Sequence, residues 1–477
     1  MKDVFKKTNI ICTIGPASED KLEEMFKAGM NIARFNFSHA SEESVKDTVE
    51  EFKKIREKLG ISAGLLMDMQ GPEIRLGLFS DEIKDGFVLN SGDKVSFTTE
   101  KIKCTKEMFS VSYDAFYKDV EPGHKLLIDD GAIELRVDKI ENKIVKATVI
   151  DGGLVKEKKG LNAPKSILNI PGLKEKDIKD LEYAVRADFD FVAGSFIRNK
   201  EDVLNIKKEL KKHGGENIKV IAKIENRQGM ENIKEIIEVS DGIMVARGDL
   251  SVEVPLEIVP IYQKNIIKYC NNAAKPVIIA TQMLDSMINN PLPTRAETSD
   301  VANAVYDRAS AIMLSGETAI GKYPVKCVET MTKIARSVEK NVKYSNRINL
   351  DERKYNTIDE KDAYIAVNSI KTIGADAILA YTNSGNTIKH ISSLGPDIPI
   401  FTVTSNLKTY NYLSIIWNVF PIYVPEKPNV DEMLNDSINA LKKLAIIEEG
   451  DLIYITGGKE FVKSAKISKN VGGIAIF

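Results

Sequence analysis

Residues 218–225, IKVIAKIE, and residues 242–249, GIMVARGD, each pass through a short apolar run and then end in charge. Between them, 226–241 has the length and amphipathic character of a helix. A buried strand, a covering helix and a second buried strand are the parallel βα unit. Working outward, runs of the same kind at 8–14, 30–36, 63–68, 189–196, 276–281 and 311–315 bring the count to eight. Eight such units predict a closed (β/α)8 barrel of the TIM type, whose reactive face lies at the C-terminal ends of the strands. Polar residues gather at those ends. Arg34 and Asn36 close the second run, Asp68 the third, and Lys223 and Glu225 the fifth. Arg247 and Asp249 follow the sixth, Thr281 ends the seventh, and Ser315 and Glu317 follow the eighth. Strand side chains alternate with period two, so Arg34 with Asn36, and Lys223 with Glu225, are expected on one side.

The third and fourth runs are separated by 71–165, far more chain than a connecting loop and helix need. Within it KVSFTT (94–99), KLLIDDGAIELRV (125–137) and KIVKATVIDGG (143–153) are short and β-rich. They predict a small antiparallel barrel or sandwich, inserted above the barrel mouth as a mobile lid. The charged segment 343–360 has no sustained apolar period and reads as a linker. Beyond it, runs at 376–382, 398–404, 451–456 and 472–477, with helical stretches near 361–373 and 430–446, predict an open α/β sheet. The expected organisation is barrel 1–70, inserted lid 71–165, barrel 166–342 and C-terminal α/β domain 343–477.

Composition narrows the function. A chain of 477 residues with 43% hydrophobic and 29% charged residues is ordinary globular material for several domains. Its 67 basic and 69 acidic residues leave a net charge of -2, which argues against nucleic acid or an acidic membrane as partner. Cys12, Cys104, Cys270 and Cys327 form no CxxC pair, so neither a disulfide framework nor a zinc knuckle is supported, and the cytoplasm is the expected compartment. No stretch approaches the roughly 20 apolar residues of a bilayer span.

Glu225 and Asp249 supply oxygen ligands suited to a hard divalent cation, Mg²⁺ with Mn²⁺ as alternative. Lys223, Arg34 and Arg75 add positive charge suited to a polyanionic substrate and a moving phosphoryl group. Structural ion pairing competes for each residue singly, less so for the set. Asn36, Ser38 and Asp68 offer the oxygens that hold a large monovalent cation, against the alternative of turn chemistry at strand ends. The segment from Ala246 to Asp249 opens a helix whose amides suit a carboxylate or phosphate. Thr281 offers a hydroxyl, and Ser315 with Glu317 a hydroxyl and carboxylate for proton relay. Thr382, Asn383, Ser384, Gly385, Asn386 and Thr387 form either a phosphate loop or a capped turn. Tyr410, Tyr412 and Trp417 read as core or interface.

The series CTIGPAS (12–18), NIARFNFSH (31–39), GPEIR (71–75), DGIMVARGDL (241–250), ATQMLDSM (280–287), TRAETSDVANAV (294–305) and MLSGETA (313–319) resembles, in order, the motifs of the pyruvate kinases. KVIAKIENRQGM (219–230) resembles that family's active-site signature. The resemblance implies phosphoryl transfer from phosphoenolpyruvate to ADP, giving pyruvate and ATP, with Mg²⁺ and K⁺ as cofactors and a homotetrameric assembly. It implies Glu225 and Asp249 as Mg²⁺ ligands, and Lys223 as stabiliser of the phosphoryl group and enolate. Arg34 and Arg75 would be phosphate holders, and Asn36, Ser38, Asp68 and the Met69 carbonyl K⁺ ligands. It places Thr281 near the carbon to be protonated, Ser315 and Glu317 in a relay, and the Gly248 and Asp249 amides at the substrate carboxylate. The loop 382–387 resembles the family's sugar-phosphate loop, although the segment after Gly457 lacks the usual Gly- and Thr-rich ending. Glu73 is of the K⁺-dependent type, while Met69, Gln70 and Leu76 resemble the K⁺-independent branch; the missing lysine at 73 predicts K⁺ activation. Ser251 and Arg308 stand where glycines are common. No appended phosphotransfer domain is expected. A metal-dependent aldolase or lyase, and a catalytically silent metabolite sensor, are the competing readings; the lid and the joint presence of Lys223, Glu225, Asp249 and Thr281 argue against them.

Overall fold

The computed structural model describes residues 6–81, 83, 85–164, 166–347, 353–427, 430–443, 447–448, 450–457 and 472–476. Strands Asn9–Thr13, Ile32–Asn36, Gly64–Asp68, Phe191–Gly194, Lys219–Ile224, Gly242–Ala246, Val277–Ala280 and Ala311–Leu314 each fall inside one of the eight apolar runs. They are parallel and close into a barrel in sequential order, the first pairing with both the second and the eighth. Period two sorts their side chains as expected. On the fifth strand Val220, Ala222 and Ile224 join the apolar layer shared with the surrounding helices, while Ile221 joins Ile11, Ile32, Leu66, Met244 and Ile278 inside the barrel. Lys223 therefore shares the inner face with Ile221, one pleat nearer the mouth. Each fully buried aliphatic side chain contributes about 1.5–3 kcal/mol, and this material holds the rim charges in place.

The inserted segment departs from a purely antiparallel reading. Its six-stranded sheet runs in the order Leu161–Asn162, Lys125–Ile128, Ile133–Glu141, Ile144–Asp151, Lys94–Thr98, Met108–Ser110, and the last pair is parallel. The extra parallel strand packs Phe109 against Phe97, ring centroids 5.5 Å apart.

The C-terminal sheet has the order Val419–Tyr423, Ile400–Thr404, Ala377–Tyr381, Leu452–Gly457, Gly472–Ile476, with only the last strand antiparallel. Val419–Tyr423 lies outside the runs read as strands. Pro421 interrupts its pattern, which an edge strand tolerates because one side of its ladder is unpaired. The helices Ile358–Ile373 and Val430–Lys443 match the helical stretches, and the first starts at a Thr357–Glu360 capping box inside the expected linker. The segment after Gly457 that bears on the sugar-phosphate loop lies at 458–471, outside the described residues. The barrel interior is continuous with an apolar cluster containing Ile388, Leu413 and Ile415, so this domain closes the barrel base and leaves the mouth for chemistry. Among the described residues no helix is long and apolar enough to cross a membrane.

Candidate active site

Two carboxylates, Asp68 and Glu225, and two cations, Arg34 and Lys223, interlock at the barrel mouth. Register pairs Arg34 with Leu66 and Asn36 with Asp68 on the second and third strands, which brings Arg34 Nε to 2.7 Å from Asp68 Oδ2. Arg34 Nη1 donates to Thr13 Oγ1 at 2.7 Å. Lys223 Nζ lies 2.9 Å from Asp68 Oδ1 and 2.9 Å from Glu225 Oε1, and donates to Ser195 Oγ at 2.7 Å. Ser195 in turn donates to the Met69 carbonyl at 2.6 Å. The Asp68 and Glu225 side chains are each 1% exposed and Lys223 is 11% exposed. Burial pushes the Lys223 ammonium down, but the charges of Asp68 and Glu225 outweigh it and hold the group above the ordinary lysine value. Burial likewise pushes Asp68 up, yet Lys223 and Arg34 bring it below the usual carboxylate range. Lys223 and Asp68 thus both stay ionised.

Glu225 and Asp249 behave differently. Burial raises Glu225 to about 7, against the lowering charge of Lys223 and with Asp249 adding to the rise. Asp249 is raised by burial first, opposed by Lys223 and reinforced by Asp130, Glu73 and Asp68. A mutually repelling, desolvated carboxylate pair is the donor set a divalent cation neutralises. Mg²⁺ takes one or two carboxylates and fills its octahedron with water and substrate oxygens, so this pair alone is a sufficient protein donor set. Lid residues Asp130 and Glu73 belong to the same electrostatic environment, and Asn162 Nδ2 donates to Glu253 Oε1 at 3.0 Å just beyond Asp249.

Thr281 and Gln282 both have positive φ, 72° and 53°. Non-glycine residues held there store strain of about 1–3 kcal/mol each, a cost concentrated at functional turns. The turn presents Thr281 Oγ1 to the Gly248 amide at 2.8 Å. Arg247 steadies it from the other side, donating to the Thr281 carbonyl at 2.7 Å and pairing with Asp300 at 2.7 Å. The Gly248 amide expected at a substrate carboxylate is thus engaged by Thr281, and an incoming carboxylate has to take that hydroxyl's place.

Other expected roles are modified by the geometry. Glu317 directs its two carboxylate oxygens to backbone amides, Leu284 at 3.0 Å and Ser315 at 2.7 Å, and Ser315 Oγ is buried without a partner among the described residues. The relay expected between that hydroxyl and Glu317 is not formed, because binding the two loops together occupies the carboxylate. Arg75 donates from Nε to Glu73 at 2.8 Å, with a second contact at 2.6 Å from Nη2, rather than standing free for phosphate. Asn36 Oδ1 accepts from the Ser38 amide at 3.2 Å, the turn alternative weighed for this pair. In the C-terminal domain Thr382 Oγ1 accepts from the Gly385 amide at 2.9 Å, and Gly385, at φ 80°, caps the helix Asn386–Ser393; Ser384 Oγ accepts from Asn386 at 3.5 Å. Thr387 lies in the first turn of that helix. Sequence reading missed Ser195 and the Phe196 amide, which donates to Glu225 Oε2 at 2.6 Å. Their only signal was position, at the end of the fourth apolar run.

Comparisons with known proteins agree with this geometry. The family model described as pyruvate kinase, barrel domain, matches residues 5–328, and that described as pyruvate kinase, alpha/beta domain, matches 360–469. The chain is 44% identical over 464 residues to the pyruvate kinase of Staphylococcus saprophyticus, covering 95% of this chain and 78% of that protein. It is 42% identical over 464 residues to the pyruvate kinase of Sporosarcina psychrophila, with the same coverage, 95% and 78%.

Proposed function

The chain belongs to the pyruvate kinase family and carries out its reaction, transfer of the phosphoryl group of phosphoenolpyruvate to ADP, and from that premise we propose which of its residues perform each part. The observation that carries the assignment is Lys223, an ammonium buried at the barrel mouth between Asp68 and Glu225. In the reaction the bond from phosphorus to the enol oxygen breaks, a bond to a terminal oxygen of ADP forms, and the enolate left behind takes a proton on carbon to become pyruvate. Lys223 stabilises both the phosphoryl oxygens and the enolate oxygen, because its charge is fixed and desolvated. Arg34 is aligned on the same phosphoryl group by Asp68 and Thr13. Arg75 serves the nucleotide phosphates after exchanging Glu73 for them.

Glu225 and Asp249 are the residues that would hold Mg²⁺, which supplies neutralisation of phosphate charge; Mn²⁺ satisfies the same oxygen donors. Asn36, Ser38, Asp68 and the Met69 carbonyl would hold K⁺. Asp68 already balances Arg34 and Lys223, so that ion would rest largely on neutral oxygens and bind weakly. The Gly248 and Asp249 amides orient the substrate carboxylate. Thr281 serves the carbon to be protonated, with Ser315 contributing a hydroxyl and Glu317 acting as a positioning residue. Boundaries at 71, 166 and 343, lid closure, cytoplasmic residence, homotetrameric assembly and a phosphate effector at Thr382 to Thr387 belong to the same proposal.

The test is pyruvate formation from phosphoenolpyruvate and ADP with Mg²⁺, run in K⁺ and in tetramethylammonium salts at matched ionic strength. Strong activation by K⁺ is the expected result. Equal rates in both salts would remove the monovalent site and leave the kinase; no pyruvate from folded protein in either salt would defeat the residue assignment.

A further inference from the structure

The barrel base meets the C-terminal domain around a cavity of about 20 Å³, room for one water-sized sphere. Arg308, Lys275, Lys389 and Trp417 are among its walls. Arg308 is 6% exposed and held at φ 70°. Its Nη2 donates to the Ser393 carbonyl at 2.7 Å, and its guanidinium carbon lies 5.1 Å from the Trp417 ring centroid. Arg308 Nε–H and the Trp417 indole N–H are both buried and both lack an acceptor among the described residues. Lys389 has no hydrogen-bond or ion-pair partner among them either.

Three carbonyls of the wall residues are already committed. The Ser393 carbonyl also takes Arg353 Nη1 at 3.4 Å, the Trp417 carbonyl takes Ser392 Oγ at 2.6 Å, and the Ser310 carbonyl takes the Asn9 amide at 2.9 Å. Asp241, the first carboxylate felt by Lys389, is spent on Lys207 at 2.8 Å and on the Val220 amide at 2.9 Å. Cations of one domain act on those of the other: burial and then Arg353 bring Arg308 to about 10, and Lys275 is lowered by burial and by Lys389 against the opposing charge of Asp241. A water here would bring two donors of its own to the unpartnered Arg308 Nε–H and Trp417 N–H, whereas a monatomic anion only accepts.

We propose that this cavity binds a chloride-sized inorganic anion, bridging Arg308 of the barrel to Lys389 and Trp417 of the C-terminal domain. The anion cancels the repulsion between cations from two domains and so fastens the seam at the barrel base. Trp417 is the single tryptophan of the chain, since the composition holds Trp 1, and its emission reports on the cavity directly. The full chain is titrated with sodium chloride against sodium gluconate at constant ionic strength, gluconate being too large to enter, and crystals are soaked in bromide. The expected result is a saturable emission change in chloride alone, a midpoint at least about tenfold higher in Lys389→Gln, and a bromide anomalous peak beside Arg308 and Trp417. A change that fails to saturate, occurs equally in gluconate or is unaltered in Lys389→Gln overturns the proposal, as does bromide ordered only elsewhere.

Discussion

At the mouth of the barrel Lys223 and Arg34 each lie within 2.9 Å of a carboxylate, whereas at the base Arg308 and Lys389 have no ion-pair partner among the described residues. The same architecture thus buries positive charge at both ends under opposite local balances. Three carboxylates, Asp68, Glu225 and Asp249, face two cations at the mouth, and the surplus suits a divalent cation and the phosphate it accompanies. The base has donors in excess and suits an anion. Burial alone therefore does not mark a site; what matters is which sign of charge is left over after the local pairs are counted.

The sharpest way to break the contrast is Lys223→Met. We expect kcat to fall by roughly 10²–10³, the usual cost of losing one preorganised electrostatic contact, measured by pyruvate release at saturating substrate. Turnover within a few-fold of the parent would mean that Lys223 is only an ion-pair partner. Next comes Asp68→Asn, which leaves Arg34 and Lys223 short of a counter-charge. A loss of about 3 kcal/mol in urea unfolding is expected, and an unchanged midpoint would show that the cations find other partners.

A smaller effect separates the two ends directly. Glu225→Gln should raise the half-saturating Mg²⁺ concentration at least about tenfold, followed by activity and by Mn²⁺ binding in paramagnetic resonance, while Lys389→Gln should leave it unmoved. Equal responses would dissolve the distinction. The smallest is a control charge outside both ends. Glu297 accepts from the Ser286 amide at 2.7 Å and the Thr294 amide at 2.7 Å; burial opposes ionisation, but these bonds hold it below the usual glutamate value. A depressed carboxylate contributes stability that is present above the unfolded value and lost as pH falls through the folded one. Glu297→Gln should cost about 1 kcal/mol near neutral pH, and the gap in Tm should close in acid; a gap that persists at low pH would show that the charge is not what matters.

Much of this was legible in the chain. The eight apolar runs coincide with the eight barrel strands because parallel strands covered on both faces must be apolar along nearly their whole length. Period two placed Lys223 beside Glu225, and they meet at 2.9 Å. Residues that act through neighbours distant in sequence were not legible. Ser195 matters only because Lys223, 28 positions away, donates to it. Glu317 looked like half of a relay until its oxygens were found on the Leu284 and Ser315 amides. Val419–Tyr423 was hidden because Pro421 reads as a breaker unless the strand is known to lie at an edge.

The sequence by itself determined the barrel, the position of the insertion and the set of charged residues at the strand ends, because hydrophobic period and loop length are local properties written along the chain. Tertiary structure alone decided which charges neutralise one another. Asp68 meets Lys223 across 155 positions, Thr281 reaches Gly248 through a strained turn, and Arg308 and Lys389, from two domains, line one cavity. Those relations depend on distance and dielectric in three dimensions, where Coulomb energy changes steeply with both, and no spacing along the sequence encodes either.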